Sequence, residues 1–312
     1  MEFKKFTASE DDGNRRIEKV VRRIFDFHHA ECRNVFEILR KNLVKVNGKK
    51  IPQSYTVKSG DEISVAKFLL ENSAEKNGRT DSSEKIHEDF SGQTVFRNSH
   101  IWIFNKKSGI PVQGGGKEFS LAEFVAENSA EKNSLSFKSG PLHRLDKITS
   151  GLVSFSQSSA CARWFSENLQ DRKINKFYAA VCENFFDTDE EKIFSGEIGG
   201  KKSVTKILPV ARGIFCGKKV TLVKAKIETG RKHQIRIHLA ENFHALLGDE
   251  KFGGTEIPQK KFFLHAYKME FPENGFGLPR KIFAELPDDF FSLATEIFSL
   301  DENRLNEIFF AL

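Results

Sequence analysis

The chain runs to 312 residues, 39% hydrophobic and 29% charged, with a formal net charge of +6. That is enough apolar chain for one large core or for a small and a larger one, and the charge suits a polyanion such as nucleic acid. The start, Met1-Glu2-Phe3-Lys4-Lys5-Phe6, lacks the apolar stretch of a signal peptide, and no apolar run approaches the roughly 20 residues of a membrane span. A cytoplasmic monomer with no membrane partner is therefore expected. Cys32, Cys161, Cys182 and Cys216 lie far apart and argue against a disulfide framework or a zinc knuckle. The 31 Phe read as core filling.

In chain order, residues 15–67 read as a compact unit. Ile17, Val20, Val21 and Ile24 fall at i, i+3, i+4, i+7 and predict a helix, with Arg15, Arg16, Lys19, Arg22 and Arg23 on its remaining faces. A second helix is predicted over 33–43, with Val35, Phe36 and Leu39 apolar and Arg33, Arg40 and Lys41 basic. Alternation around Val44-Lys45-Val46, followed by Asn47-Gly48-Lys49, predicts a hairpin that a strand at 61–65 closes. Residues 68–92 are polar and read as a linker. A heptapeptide, Glu-Asn-Ser-Ala-Glu-Lys-Asn, occurs at 71–77 and again at 127–133; it is too short to imply a repeat architecture. Beyond residue 92, strands are predicted at 101–104, 151–155, 175–182 and 220–228, and helices at 158–169, 234–242 and near the C-terminus. Strands and helices do not alternate regularly, so the expected class is α+β with a mixed, largely antiparallel sheet.

The densest polar cluster is Gly140-Pro141-Leu142-His143-Arg144-Leu145-Asp146-Lys147-Ile148-Thr149-Ser150-Gly151. A carboxylate between bases stays ionised, as a nucleophile or base requires. A surface loop with one ion pair explains the same residues equally well, so both readings stand on residue chemistry alone. His233 and His238 are five apart, a poor spacing for a metal pair on one helical face. Gly114-Gly115-Gly116-Lys117 is not a phosphate loop: Pro111 stands where its first Gly is needed, and Glu118 replaces the Ser or Thr. No metal and no cofactor is implied.

Two resemblances extend this reading. Two basic helices, a Val-Asn-Gly-Lys turn and a Gly-Asp strand resemble the RNA-binding module of the small ribosomal protein S-four superfamily. The resemblance implies an RNA-binding domain over 1–67, with Arg15, Arg16, Arg22, Arg33, Arg40, Lys45 and Lys49 as candidate contacts, a linker over 68–92 and a catalytic domain over 93–312. His143-Arg144-Leu145-Asp146 followed by Thr-Ser-Gly resembles the catalytic motif of RluA-type pseudouridine synthases. Four further segments match in order: 105–115, with Lys107 where that family usually has Pro, 176–181, 230–238, and 247–253 with 264–266. The 105–115 segment and the Gly248–Gly253 run are most similar to the branch acting on large-subunit ribosomal RNA.

The resemblance implies that Asp146 attacks C1′ of uridine or takes a sugar proton, and the sequence does not choose between the two. It implies that Tyr178 lies beside the base as stacking partner or general base. It further implies that Arg236, in the first turn of a predicted helix, pairs with Asp146. The target nucleotide must be flipped out of its stack. Arg144 and His143 would then contact phosphate or fill the vacated space, with Arg231 as a phosphate contact. An RNA-binding or ribosome-assembly factor without chemistry, a synthase acting on transfer RNA, and an RNA glycosidase are the competing readings.

Overall fold

The computed structural model describes residues 1–32, 34–71, 87–114, 118–129 and 134–310. The N-terminal part comprises β1 (Phe3–Thr7), α1 (Ile17–Phe27), α2 (Val35–Arg40), β2 (Val44–Val46), β3 (Glu62–Ala66) and the single turn α3 (Phe68–Glu71). Its sheet has the order β1-β3-β2, antiparallel throughout. Ile17, Val20, Val21 and Ile24 are at most 2% exposed and pack with Val35, Leu39, Val44 and Val65. Each such burial contributes roughly 1.5–3 kcal/mol, so the apolar spacing of α1 holds this small core together.

Three features of this part differ from expectation. α2 is shorter than 33–43. The Asn34 side chain accepts from the Glu37 N–H at 3.2 Å and starts the helix, while Asn42 leaves helical space at φ 59°. Phe36 is 42% exposed, because the core-facing stripe is only Val35 and Leu39, one turn apart. The Asn47-Gly48 turn forms at φ 50° and 74°, but 49–52 does not become the returning strand. A lone bridge joins Val46 to Lys49, and β2 pairs instead with β3. Asn47 directs that choice: its Nδ2 donates to Asp61 Oδ1 and its Oδ1 accepts from the Glu62 N–H, both at 2.9 Å. Pro52 in the arm offers no N–H to a ladder. β1 was not foreseen at all.

The C-terminal part contains β4 (Thr94–Arg97), β5 (Ile101–Lys106), α4 (Leu121–Asn128), β6 (Gly140–Pro141), β7 (Ser150–Ser156), α5 (Ser159–Gln170) and β8 (Asn175–Glu183). It continues with β9 (Lys192–Ile198), β10 (Lys201–Phe215), β11 (Lys218–Ile227), α6 (Gln234–Glu241), β12 (Leu264–Glu270), β13 (Lys281–Phe283), α7 (Asp288–Phe298) and α8 (Glu302–Phe310). The sheet order is β4-β5-β7-β12-β8-β11-β10-β9, with β13 on β12 and β6 on β7. Among the described strands only β7 and β12 run parallel, so the α+β class with a mixed, largely antiparallel sheet is what the chain adopts. The elements predicted around 101–104, 151–155, 158–169, 175–182, 220–228 and 234–242 are present. β9, β10, β12 and α4 were not predicted.

At the parallel junction Gly151 has φ 107°, and a Cβ there would lie 2.3 Å from the Ala266 carbonyl oxygen. Only glycine lets β7 and β12 approach this closely. The junction places the Asp146 loop, just before β7, at the mouth of the cleft between the strand ends and α6.

The two parts touch. Asp12 accepts hydrogen bonds from the Ser134 hydroxyl and from the Leu135 and Ser136 N–H groups, and Ser159 N–H donates to Asp11 at 2.7 Å. The stretch expected as a linker is apolar at its described ends: Leu70 packs into the N-terminal core and Phe90 into the C-terminal one. Residues 72–86 of it, and most of the second heptapeptide, lie outside the described residues. No helix among the described residues is long and apolar enough to cross a membrane.

Candidate active site

The His143–Asp146 run approaches β7 with alternating orientation. Leu145 is buried at 9% exposure and anchors the loop, Arg144 is exposed, and Asp146 faces a cleft of about 1010 Å³. Tyr178, Ile227, His233, Arg236 and Leu264 line the same cleft. That volume accommodates a nucleotide and part of its flanks.

One oxygen of Asp146 carries all its hydrogen bonds to the described residues. Oδ2 lies 2.7 Å from His233 Nδ1 and 3.1 Å from Arg236 Nη1. A 2.7 Å contact between a ring nitrogen and a carboxylate requires the proton on that nitrogen, so Nδ1–H donates. Oδ1 has no hydrogen bond to any described residue, and the Asp146 side chain lines the cleft. Arg236 is fixed from behind: its Nε and Nη2 donate to the two oxygens of Asp249 at 2.6 and 2.8 Å. Its guanidinium lies over Phe252 and Phe262, at 4.7 and 4.4 Å from the ring centroids. This bidentate, stacked arrangement suits arginine and would not suit lysine. Burial alone would lower the Arg236 pKa, but Asp249 and then Asp146 reverse that and raise it. The cation is permanent, so Asp146 always meets a positive charge.

His233 sits at φ 58°, in the left-handed region, as N-cap of α6. A non-glycine residue there is strained, and the strain turns the ring back toward Asp146. Arg236, three residues on, is in the first helical turn as expected, and the structure brings it together with Asp146. Tyr178, on β8, is 6% exposed. Burial first, and the Asp146 charge second, push its phenol above the ordinary range, which disfavours a phenolate and hence the role of general base.

The loop that carries Asp146 is held by Lys106. This lysine is fully buried, and its Nζ donates to the carbonyls of Lys107 and Lys147, both at 3.0 Å; burial pushes its pKa down to about 7. Ser108 Oγ donates to Ile148 O at 2.7 Å, and Lys107 N–H donates to Gln93 Oε1 at 2.8 Å. The loop with Lys107 in place of Pro is therefore anchored, and by an N–H that proline would lack.

Several expected nucleic-acid contacts change character. His143 is turned inward: its ring stacks on Phe165, Nε2 accepts from the Ser154 N–H, and burial, with the nearby Lys176 charge, pushes it down to about 3. It is a neutral structural residue and not a cationic phosphate contact. Arg15 donates to the Ser136 carbonyl at 2.9 Å and fastens the N-terminal part to the C-terminal one. Arg16, Arg22, Arg40 and Lys49 are exposed, and Lys45 lies half-buried with its Nζ over the Phe3 ring. None of these lines the cleft. Arg33 lies outside the described residues. Arg144 and Arg231 do line the cleft, with only a long contact to Gln113 for Arg144 and a bond to Lys202 O for Arg231.

Sequence reasoning missed His233, Asp249, Lys106, Phe252 and Phe262. His233 was weighed only as a metal ligand, and Asp249 lay in a recognised run without a role. Their meaning comes from contacts 87 and 13 residues apart in the chain, which no local pattern reports.

The chain is similar in sequence and fold to known proteins. Residues 100–241 match the model of the RNA pseudouridylate synthase family. The ribosomal large subunit pseudouridine synthase C of Haemophilus influenzae is 29% identical over 299 residues, covering 87% of this chain and 88% of its own. That of Salmonella typhi is 28% identical over 268 residues, covering 78% and 81%. In fold, the human RNA pseudouridylate synthase domain containing 1 protein superposes with a TM-score of 0.53 at 20% identity, covering 72% of this chain and 98% of its own. The human domain containing 4 protein gives 0.52 at 18% identity, covering 64% and 91%.

Proposed function

We propose that this chain, which belongs to the RNA pseudouridylate synthase family and isomerises uridine to pseudouridine in RNA, takes large-subunit ribosomal RNA as its substrate in the cytoplasm. The observation that carries the mechanistic part is the free oxygen of Asp146. His233 and Arg236 occupy Oδ2 and hold the side chain in place, while Oδ1 has no hydrogen bond to any described residue. An anion so placed meets C1′ or a neighbouring sugar proton of a uridine that has left its stack. Tyr178 covers one face of the base as a stacking partner. Arg144, exposed at the rim, fills the space the nucleotide vacates or pairs with its phosphate, and Arg231 offers a second cation at the same rim. The relatives named for the large ribosomal subunit support the choice of ribosomal over transfer RNA.

The N-terminal part, residues 1–67, is proposed as an S-four type RNA-binding domain, tied through 68–92 to the catalytic domain over 93–312. Its exposed Arg16, Arg22, Arg40 and Lys49 are the proposed phosphate contacts. Arg22→Gln with Arg40→Gln is expected to reduce the slope of log affinity against log salt by about 1 for each cation that meets a phosphate. An unchanged slope refutes the contact.

The central test uses purified chain with large-subunit ribosomal RNA and with transfer RNA. Pseudouridine is expected in the ribosomal transcript alone. Asp146→Asn is expected to lower turnover by at least about a thousandfold with RNA affinity nearly unchanged. Turnover near wild type in a folded Asp146→Asn protein overturns the role of Asp146, and pseudouridine only in transfer RNA overturns the substrate.

A further inference from the structure

We infer that Lys176 is a further catalytic residue of the cleft, whose ammonium group pairs with the uracil ring and stabilises the negative charge the base carries as it leaves the sugar. The inference rests on the uridine-isomerising reading above.

Lys176 and Tyr178 are two residues apart on β8, so their side chains share one face of the strand. Both line the cleft with Asp146. Lys176 is only 7% exposed, yet it makes no hydrogen bond or ion pair with any described residue. The carboxylates of the cleft are engaged elsewhere: Asp146 with His233 and Arg236, Glu228 with Lys206 and Arg172. The loop after β11 passes over the amine, and a Cβ on Gly230 would sit 3.4 Å from Nζ. Burial pushes Lys176 down only to about 8, so at neutral pH it remains mostly an ammonium. A buried cation without a counterion is unfavourable in the resting protein. An anion that appears only during the reaction supplies the missing partner, which is the condition for stabilising a transition state more than the bound substrate.

The reaction produces such an anion. Heterolysis of the C1′–N1 bond sends its electron pair to the base, where it spreads over N1 and the two carbonyl oxygens. Asp146 meets the electron-deficient sugar by bonding to C1′ or by taking a neighbouring proton. The base turns, and C5 bonds to C1′ as the Asp146–C1′ bond breaks or as Asp146 returns the sugar proton; the C5 proton then leaves and N1 gains one. Lys176 neither gains nor loses a proton in this sequence; its charge compensates the base while the base is detached. Asp146 and Lys176 thus divide the two halves of the broken bond.

The test is single-turnover glycosidic cleavage with RNA carrying uridine or 5-fluorouridine at the target, comparing wild type, Lys176→Met and Asp146→Asn. Fluorine stabilises the base anion itself, so a variant without the ammonium should gain from it. Lys176→Met is expected to cleave uridine RNA at least about a hundredfold more slowly, with affinity little changed. With 5-fluorouridine RNA that deficit is expected to shrink by about tenfold or more. A rate near wild type on uridine, or an equal deficit on both RNAs, overturns the inference. Asp146→Asn separates the two claims: if it is inactive while Lys176→Met is normal, only the role of Lys176 falls. Should the Met variant fail to fold, Lys176→Gln gives the same ratio of rates.

Discussion

Two aspartates of this molecule are each surrounded by donors, and they differ in what is left over. Asp12, at the junction of the two parts, is fully buried and accepts three hydrogen bonds on each oxygen: Ser134 Oγ, Ser136 N and Ser136 Oγ on Oδ1, Ser9 N, Ser9 Oγ and Leu135 N on Oδ2. Asp146 accepts two, both on Oδ2, from an imidazole and a guanidinium. Asp12 has no capacity left for a ligand, and its neutral donors belong to the segments it joins. Asp146 lines a cleft and has one oxygen without a hydrogen bond to any described residue, and its donors are backed by Asp249 and two phenylalanine rings. A saturated carboxylate holds parts together; a half-saturated one, held in place by its partners, has an oxygen free to react.

The sharpest way to break this contrast is at Arg236. Arg236→Met leaves Asp249, 2% exposed, without its bidentate partner, and removes the permanent cation from Asp146. An uncompensated buried carboxylate costs roughly 3–5 kcal/mol, so a marked fall in the denaturation midpoint is expected together with loss of turnover. A variant of unchanged stability would show that the Asp249 pair holds nothing in place.

Asp12→Ala should give the reverse profile. Losing charged hydrogen bonds at a buried site is expected to cost about 2–3 kcal/mol, while turnover on bound RNA stays near wild type. The pH dependence carries a sign. Burial raises the Asp12 pKa, but the hydrogen bonds from Ser136, Leu135 and Ser9 outweigh it, so the folded value lies below the ordinary 3.8. The stabilisation is therefore complete above 3.8 and is lost as pH falls through the lower folded value. Denaturation of wild type and Asp12→Ala should converge in acid; a constant gap across that range contradicts the lowered pKa.

The smallest effect is expected at Tyr178. Its hydroxyl has no hydrogen bond to any described residue, and its phenol is pushed upward by burial and by Asp146. Tyr178→Phe is expected to lose less than about tenfold in turnover, since stacking survives and a phenolate base was not in use. A loss near that of Asp146→Asn would restore the hydroxyl as a proton acceptor.

Much of the fold was legible from local pattern. The stripe Ile17, Val20, Val21, Ile24 is a helix face because 3.6 residues make a turn, and the alternation read over 220–228 is a strand, Lys218–Ile227, because side chains alternate across a sheet. Where local signals were mixed, neighbours decided. The Asn47-Gly48 turn formed as its residues demand, but Asn47, bonding to Asp61 and Glu62, handed the pairing to β3. Basic residues also separated by context: Arg15 serves the junction, and His143 became a neutral ring on Phe165.

By itself the sequence determined the residue types on which the chemistry depends: an acidic group at 146, a tyrosine at 178 and an arginine at the start of a helix. The tertiary structure decided which oxygen of Asp146 is spent and which is free, because His233, Arg236 and Asp249 reach it from far along the chain. It also decided that Lys176 is buried without a counterion among the described residues. Hydrogen bonds and desolvation depend on positions in space, and those are fixed only when the strands and α6 close around the cleft.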